Sequence, residues 1–247
     1  MTNRVPATVI LLMLVAATAQ AQNEIAADSI GAAAEDRGEN SFAWKPALLQ
    51  SMFFLGIEHG FRLTQEKTRA ELKGPFFADY SRSIRGNTRG WSDGDSIFTS
   101  YVGHPMQGAV AGFIQIHNDP VGKGLQIGGT ASYWKSRLKA TAWSAAYSTQ
   151  FEIGPISEGT IGNVGKKEGT GGLVDLVVTP TGGFGWILAE DALDRYVIRK
   201  REQGTASLGR RRFYRMVLNP TRTFTNLVRM KKPWHRDDRS ISDGLSR

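Results

Sequence analysis

The chain has 247 residues, with 31 Lys and Arg against 23 Asp and Glu, 4 His and no Cys. At 40% hydrophobic and 22% charged residues it has the composition of a folding chain rather than a disordered one. The missing cysteine excludes a disulfide scaffold, a thiolate metal site, a catalytic cysteine and a lipidated N-terminal cysteine, and the composition excludes collagen-like, coiled-coil and multi-span designs.

Residues 1–21 read as a secretory signal. Arg4 supplies a basic start, Val9 to Ala16 form a short apolar run, and Ala19-Gln20-Ala21 offers a small-residue cleavage site. The competing reading is an N-terminal anchor, against which the shortness of the run counts. An exported chain without cysteine must rely on its core or on a membrane environment. Residues 22–43 are small, polar and aperiodic, and read as a flexible leader.

Four helices are predicted. The first opens at Pro46, which suits a first helical turn, and continues to about Leu72. Leu48, Met52, Phe53, Leu55, Ile57 and Phe61 give it an apolar face, and Glu66, Lys67, Arg69 and Glu71 mark a wet end. Residues 74–101 read as a long irregular connection, of a length that tends to be functional. The second helix opens at Pro105, after His104, and stops near Asn118-Asp119-Pro120. Gly108 and Gly112 share one of its faces and permit close approach of a neighbouring helix.

A Gly-rich connection, 121–130, leads to a third helix from about Ser132 to Phe151, which mixes Trp134, Leu138, Trp143 and Tyr147 with Ala145 and Ala146. After a Gly- and Lys-bearing loop at 162–172, the fourth element spans 173–198. Its β-branched start leaves strand open, but Asp175 near the positive end of a dipole favours helix, with Pro180 in the first turn or at a kink. No run reaches the ~18–20 apolar residues of a spanning helix, and the alternation that a β-barrel needs is missing. The fold class expected is mainly α. The elements form a compact bundle of about four short, Gly/Ala-notched helices (44–198), with long irregular loops and a basic C-terminal tail (199–247) carrying a short helix.

Charge is unevenly spread. Residues 195–247 hold 15 Lys and Arg against 4 Asp and Glu, a net of +11, whereas 22–194 hold 15 against 19, a net of −4. For an exported protein the expected partner of such a tail is a membrane surface of anionic lipid, or an envelope protein, and not nucleic acid. A solvated tail with no partner is the plainer alternative.

The residues that could carry chemistry are His104, Glu152 and Asp175, each at a predicted helix end. An imidazole ahead of Pro105 would be kept neutral by the dipole and could act as base, ligand or cap. One His with two carboxylates suffices for acid/base work or an oxygen-rich metal site. The structural alternative has His104 and Asp175 capping helices, and Glu152 and Glu158 pairing with Arg or Lys. There is no Gly-x-Ser-x-Gly elbow, His-Glu-x-x-His pair or phosphate-binding Gly-x-x-x-x-Gly-Lys-Ser/Thr. The glycines of 122–128 and 162–172 read as turns, and His59, His117 and His235 as non-functional.

The ordered motifs Trp91-Ser-Asp-Gly-Asp95, Tyr101-Val-Gly-His-Pro-Met-Gln-Gly108, Phe151-Glu152, Asp175-Leu-Val-Val-Thr-Pro-Thr-Gly-Gly183 and Leu218-Asn-Pro-Thr-Arg222 resemble a family of uncharacterised Gram-negative envelope proteins over roughly residues 44–229. In its longer relatives a β-rich part follows the Asn-Pro-x-Arg motif, whereas this chain ends soon after Trp234, so that part's role does not carry over. Asp175 with Gly182, Gly183 and Gly185 gives a fainter likeness to VanZ-like membrane proteins, although the apolar spans here are shorter. The resemblance implies that His104, Glu152 and Asp175 share one core, and that Pro105, Gly108, Gly112, Thr179, Pro180, Gly182 and Gly183 form its structural motif. It implies no reaction.

Two functions follow as expectations for a protein of the periplasm or envelope membrane. The first is a non-enzymatic, membrane-associated envelope protein. The second is a lipid- or cell-wall-directed hydrolase using His104, Glu152 and Asp175, with or without a metal. Geometry separates them, since the hydrolase needs the His104 ring and the two carboxyl groups to face one pocket within about hydrogen-bonding or one-water reach.

Overall fold

The computed structural model describes residues 41–71, 75–87, 90–91, 96–162 and 172–243. The expected signal, most of the expected leader and the 163–171 loop lie outside the described residues. Within them the protein is mainly helical and has no strand. The helices are α1 (Trp44–Thr64), α2 (Glu66–Glu71), α3 (Phe76–Asn87), α4 (His104–Asn118), α5 (Ala131–Ile153), α6 (Leu173–Leu193), α7 (Arg199–Gln203), α8 (Leu208–Leu218) and α9 (Pro220–Val228). Wider, π-helical turns lead into α4 at Thr99–Gly103 and out of α6 at Asp194–Ile198.

α4 is the axis of the fold: apart from Met106, every one of its residues is buried. Its polar residues are buried along with the apolar ones, and α1, α5, α6 and α9 pack around it. Gly108 lies against Thr179 and Ser144, and Gly112 against Ile187 and Ala140. These pairs run α4 parallel to α6 and antiparallel to α5. Gln50 reaching Asn118 and Glu58 reaching Gln107 make α1 antiparallel to α4.

Glycine is required at the α4–α6 crossing. A Cβ on Gly108 would stand 2.8 Å from the Thr179 carbonyl carbon and 2.9 Å from Ser144 Oγ. One on Gly183 would stand 2.7 Å from the Gly108 carbonyl carbon. The two backbones therefore touch, and Gly182 accommodates the Pro105 ring in the same way. Around this crossing lie two apolar clusters. Ala109, Phe113, Ile116, Ala140 and Ile187 fill one; Ala47, Phe54, Val110, Ala111, Ile114, Tyr147, Phe151 and Val228 fill the other.

Several expected boundaries move. The first helix breaks at Gln65, whose backbone is extended, because Arg69 turns back to cap the carbonyls of Leu63 (3.3 Å) and Thr64 (2.6 Å). The connection expected to be irregular from 74 to 101 contains α3, whose Tyr80 hydroxyl donates to the Ile153 carbonyl at the end of α5 (3.0 Å). Pro180 falls inside α6, not in its first turn. The first N–H groups of α6 are satisfied from outside by the carbonyls of Gly90 and Trp91, which fixes where Asp175 begins its turn.

The basic segment is not held apart from the helices. Arg211, Arg215 and Arg236 are buried. Arg215 pairs with Glu202, Arg222 with Asp191, Arg229 with Asp237, and Arg236 and Arg239 with Asp194. Val228 and Thr225 of α9 reach the core at Val110. The acids at Asp191 and Asp194 belong to the stretch that reads as net negative, so part of the positive charge of the basic segment is met by acids upstream of it.

Candidate functional site

His104, Glu152 and Asp175 come from three helices, the start of α4, the last turn of α5 and the first turn of α6, and they meet. One ligand atom from each lies within 4.8 Å of the other two, and all three residues are buried, the two acids to 1% exposure. His104 Nε2 stands 3.3 Å from Asp175 Oδ1. Ser148, one turn before Glu152, donates to the Asp175 carbonyl (3.1 Å) and ties the ends of α5 and α6 together. Asp175 sits at the positive end of α6, where a carboxylate is favoured.

The expected capping role of His104 is corrected. The helical path does not begin at Pro105: Ser96 Oγ accepts from Thr99 N–H (3.1 Å), and the turn at Thr99–Gly103 runs straight into α4, so the His104 N–H already has a partner in the Thr99 carbonyl. The ring is therefore free of capping and is held by side chains. Nδ1 lies 2.9 Å from Gln107 Oε1, one turn on, and Gln107 Nε2 donates to Glu58 Oε2 (3.2 Å), which also accepts from the Tyr147 hydroxyl (2.5 Å).

Gln107 Oε1 is placed to accept from Nδ1 while the Gln107 amide nitrogen faces Glu58, and Nε2 is the ring atom that faces Asp175. Burial pushes the Glu58 carboxyl up to about 8, with the bonds from Tyr147 and Gln107 acting in the other direction. Neutral Glu58 and the Tyr147 phenol, itself pushed up by burial, then form an uncharged support behind the imidazole.

Glu158 does not join the three. It lies beside Arg62, 2.6 Å from its Nε. Phe151 forms the apolar wall, edge-on to His104 and stacked on His59 at a ring separation of 5.3 Å. His59 Nε2 lies 3.1 Å from the Ile156 carbonyl, and burial pushes this ring below its usual range. His117 and His235 both face Asp237 at the far end of α4.

Gln107, Glu58 and Tyr147 are participants that the motifs do not announce. Gln107 is three residues after His104 and so one helical turn away. Glu58 interrupts the apolar run of α1, and a lone carboxylate there was the available signal. The structural motif lies directly beneath the three groups: Pro105 and Gly108 of α4 pack on Thr179, Gly182 and Gly183 of α6. The Asn219-Pro-Thr-Arg222 motif lies elsewhere. Its N–H groups at Thr221 (2.8 Å) and Arg222 (3.1 Å) cradle Glu190 at the start of α9, while the Arg222 guanidinium spans Asp191 and the Phe113 ring. No family model fits the chain, and no curated protein or solved structure matches it significantly.

Proposed function

We propose that the protein is an exported, membrane-associated envelope hydrolase directed at lipid or cell-wall material, with His104, Glu152 and Asp175 as its centre. One observation carries this reading. Three ionisable side chains from three helices, far apart in sequence, are brought within 4.8 Å in the interior, the mutual reach that a hydrolase centre requires. In such a centre a carboxylate takes a proton from water, the water oxygen attacks an acyl or phosphoryl centre, and the same carboxyl group gives that proton to the departing oxygen as its bond breaks.

The surroundings support a lipid substrate. Trp91, whose carbonyl holds the start of α6 beside Asp175, is exposed, and its indole N–H donates to the hydroxyl of Tyr101, also exposed (3.2 Å). Aromatic side chains with a polar tip favour the membrane–water boundary. No helix among the described residues is long and apolar enough to cross a membrane, so the contact would be made at the surface. The motif likeness to Gram-negative envelope proteins belongs to the same proposal.

The non-enzymatic reading draws on the basic segment 195–247. It has less to work with, because Arg215, Arg222, Arg229, Arg236 and Arg239 are engaged within the fold, leaving Lys200, Arg201, Arg210, Arg212, Lys231 and Lys232 at the surface. The test is to incubate the purified chain with Gram-negative lipid extract and, separately, with isolated sacculi, and to follow released fatty acid, phosphate or muropeptide by mass spectrometry. Wild type should release one of these, and Glu152→Gln of matched melting temperature should release it at least ~100-fold more slowly. Equal release by both, or none from either material, overturns the reading.

A further inference from the structure

We infer that His104 Nε2 and one carboxylate oxygen each from Glu152 and Asp175 form a three-ligand site for a divalent transition-metal ion, and that Gln107 is the positioning residue that aims the imidazole at it. The inference deepens the hydrolase reading by naming the cofactor class of the same centre.

The geometry fits an ion on two independent counts. The first is spacing. A tetrahedral ion with bonds of about 2.0–2.1 Å holds its ligands roughly 3.3–3.4 Å apart. His104 Nε2 and Asp175 Oδ1 stand 3.3 Å apart, one edge of that tetrahedron already at its proper length. The whole set lies within 4.8 Å, so a rotamer adjustment of a carboxylate closes the remainder.

The second count is the orientation of the ring. A metal-bound imidazole donates its other N–H to an acceptor that fixes ring orientation, and here Gln107 Oε1 lies 2.9 Å from Nδ1, placed to accept. Gln107 is held in turn through Glu58 and Tyr147. Nε2, the atom that a metal would take, is the one turned towards Asp175, 3.3 Å from its Oδ1.

The donor set also selects the ion. One imidazole with two carboxylates is of intermediate softness and suits Zn²⁺ or Mn²⁺ better than Ca²⁺, which takes six to eight oxygens, or Cu⁺, which prefers sulfur. Three protein ligands leave a position open for water, the arrangement of a catalytic rather than a structural site.

The full chain, stripped with chelator and dialysed, is titrated with Zn²⁺ against a chromophoric competitor and with Mn²⁺ followed by electron paramagnetic resonance. Wild type should take up a single ion. Asp175→Asn and Glu152→Gln should each weaken uptake at least ~100-fold. Gln107→Leu, which leaves every ligand in place, should weaken it about 10–100-fold, with far-ultraviolet circular dichroism unchanged. If neither ion binds wild type more tightly than it binds Asp175→Asn, the metal site is wrong; if Gln107→Leu binds as wild type does, the positioning role is wrong. Product release by chelator-treated wild type, lost in Glu152→Gln, would overturn the metal and leave the hydrolase. Metal uptake with no product from lipid or sacculi would do the reverse.

Discussion

The two ends of the α4–α6 pair both bury ionisable groups, but they do so differently. At the carboxyl-terminal end, Asp191, Asp194 and Glu202 are met by guanidinium groups. Arg236 Nε reaches Asp194 at 3.0 Å, Arg239 contacts it with two nitrogens at 2.8 and 2.9 Å, and Arg137 reaches Asp191 at 2.8 Å. Planar, permanently charged forks bound to carboxylates on several sides are a structural fastening. At the amino-terminal end, the centre is one titratable imidazole and two carboxyl groups, backed by an amide, a phenol and a neutral acid. The contrast teaches that burial of charge is not itself a sign of function; at one end most of the acids are held by guanidinium groups, whereas in the proposed centre the groups that meet are ones that can exchange a proton or take an ion.

Breaking the fastening should give the largest effect. Asp194→Ala leaves Arg236 and Arg239 in the interior without their common partner and should cost about 3–5 kcal/mol in urea unfolding. The surrounding arginines hold the Asp194 carboxyl well below its usual value of 3.8. Stability from this group is therefore complete above that value and is lost as pH falls towards its depressed folded value, so the gap between wild type and Asp194→Asn should narrow in acid. A gap independent of pH would show that the carboxylate's charge is not what fastens this end.

Next in size is the notch that aligns the two ends. Gly108→Ala drives a methyl group into the Thr179 backbone and should cost about 1–3 kcal/mol. Gly185→Ala, on the same helix pair but facing open space, should be neutral or stabilise by up to ~1 kcal/mol. Equal melting temperatures for the two variants would contradict the close crossing.

A pH-dependent effect, absent at pH 4.5 and greatest at pH 9, sharpens the other end. Because the Glu58 carboxyl is raised to about 8, the folded state binds a proton between the usual 4.5 and about 8 that the unfolded chain has lost. Stability from this group is thus present below 4.5 and declines as pH rises to about 8. Glu58→Gln, which copies the protonated form, should melt above wild type at pH 9 and with it at pH 4.5. A constant difference across that range would place the Glu58 carboxyl in water.

Much of the centre was legible because its residues stand where helices begin and end. His104 before Pro105, Glu152 before Gly154 and Asp175 after Gly172 are marked by breakers, and Gly108 with Gly112 marks the face along which helices close. The support behind His104 was not legible, because Gln107 and Glu58 join across α1 and α4, and local spacing says nothing about pairing between distant helices. Charge counting failed for a related reason. A net of +11 over 195–247 reads as a tail, but its arginines close on Asp191 and Asp194, a few residues upstream of the boundary that composition suggests, and on Glu202 and Asp237 within the segment.

The distinction between the two ends rests most directly on one comparison, the urea unfolding free energy of chelator-treated Glu152→Gln against wild type at pH 7. A working centre is not arranged for stability, and the expected change is within about 1 kcal/mol in either direction. A loss of about 3 kcal/mol or more, the size expected for breaking a buried charge pair, would show that Glu152 fastens the fold as Asp194 does, and the centre would then be structural.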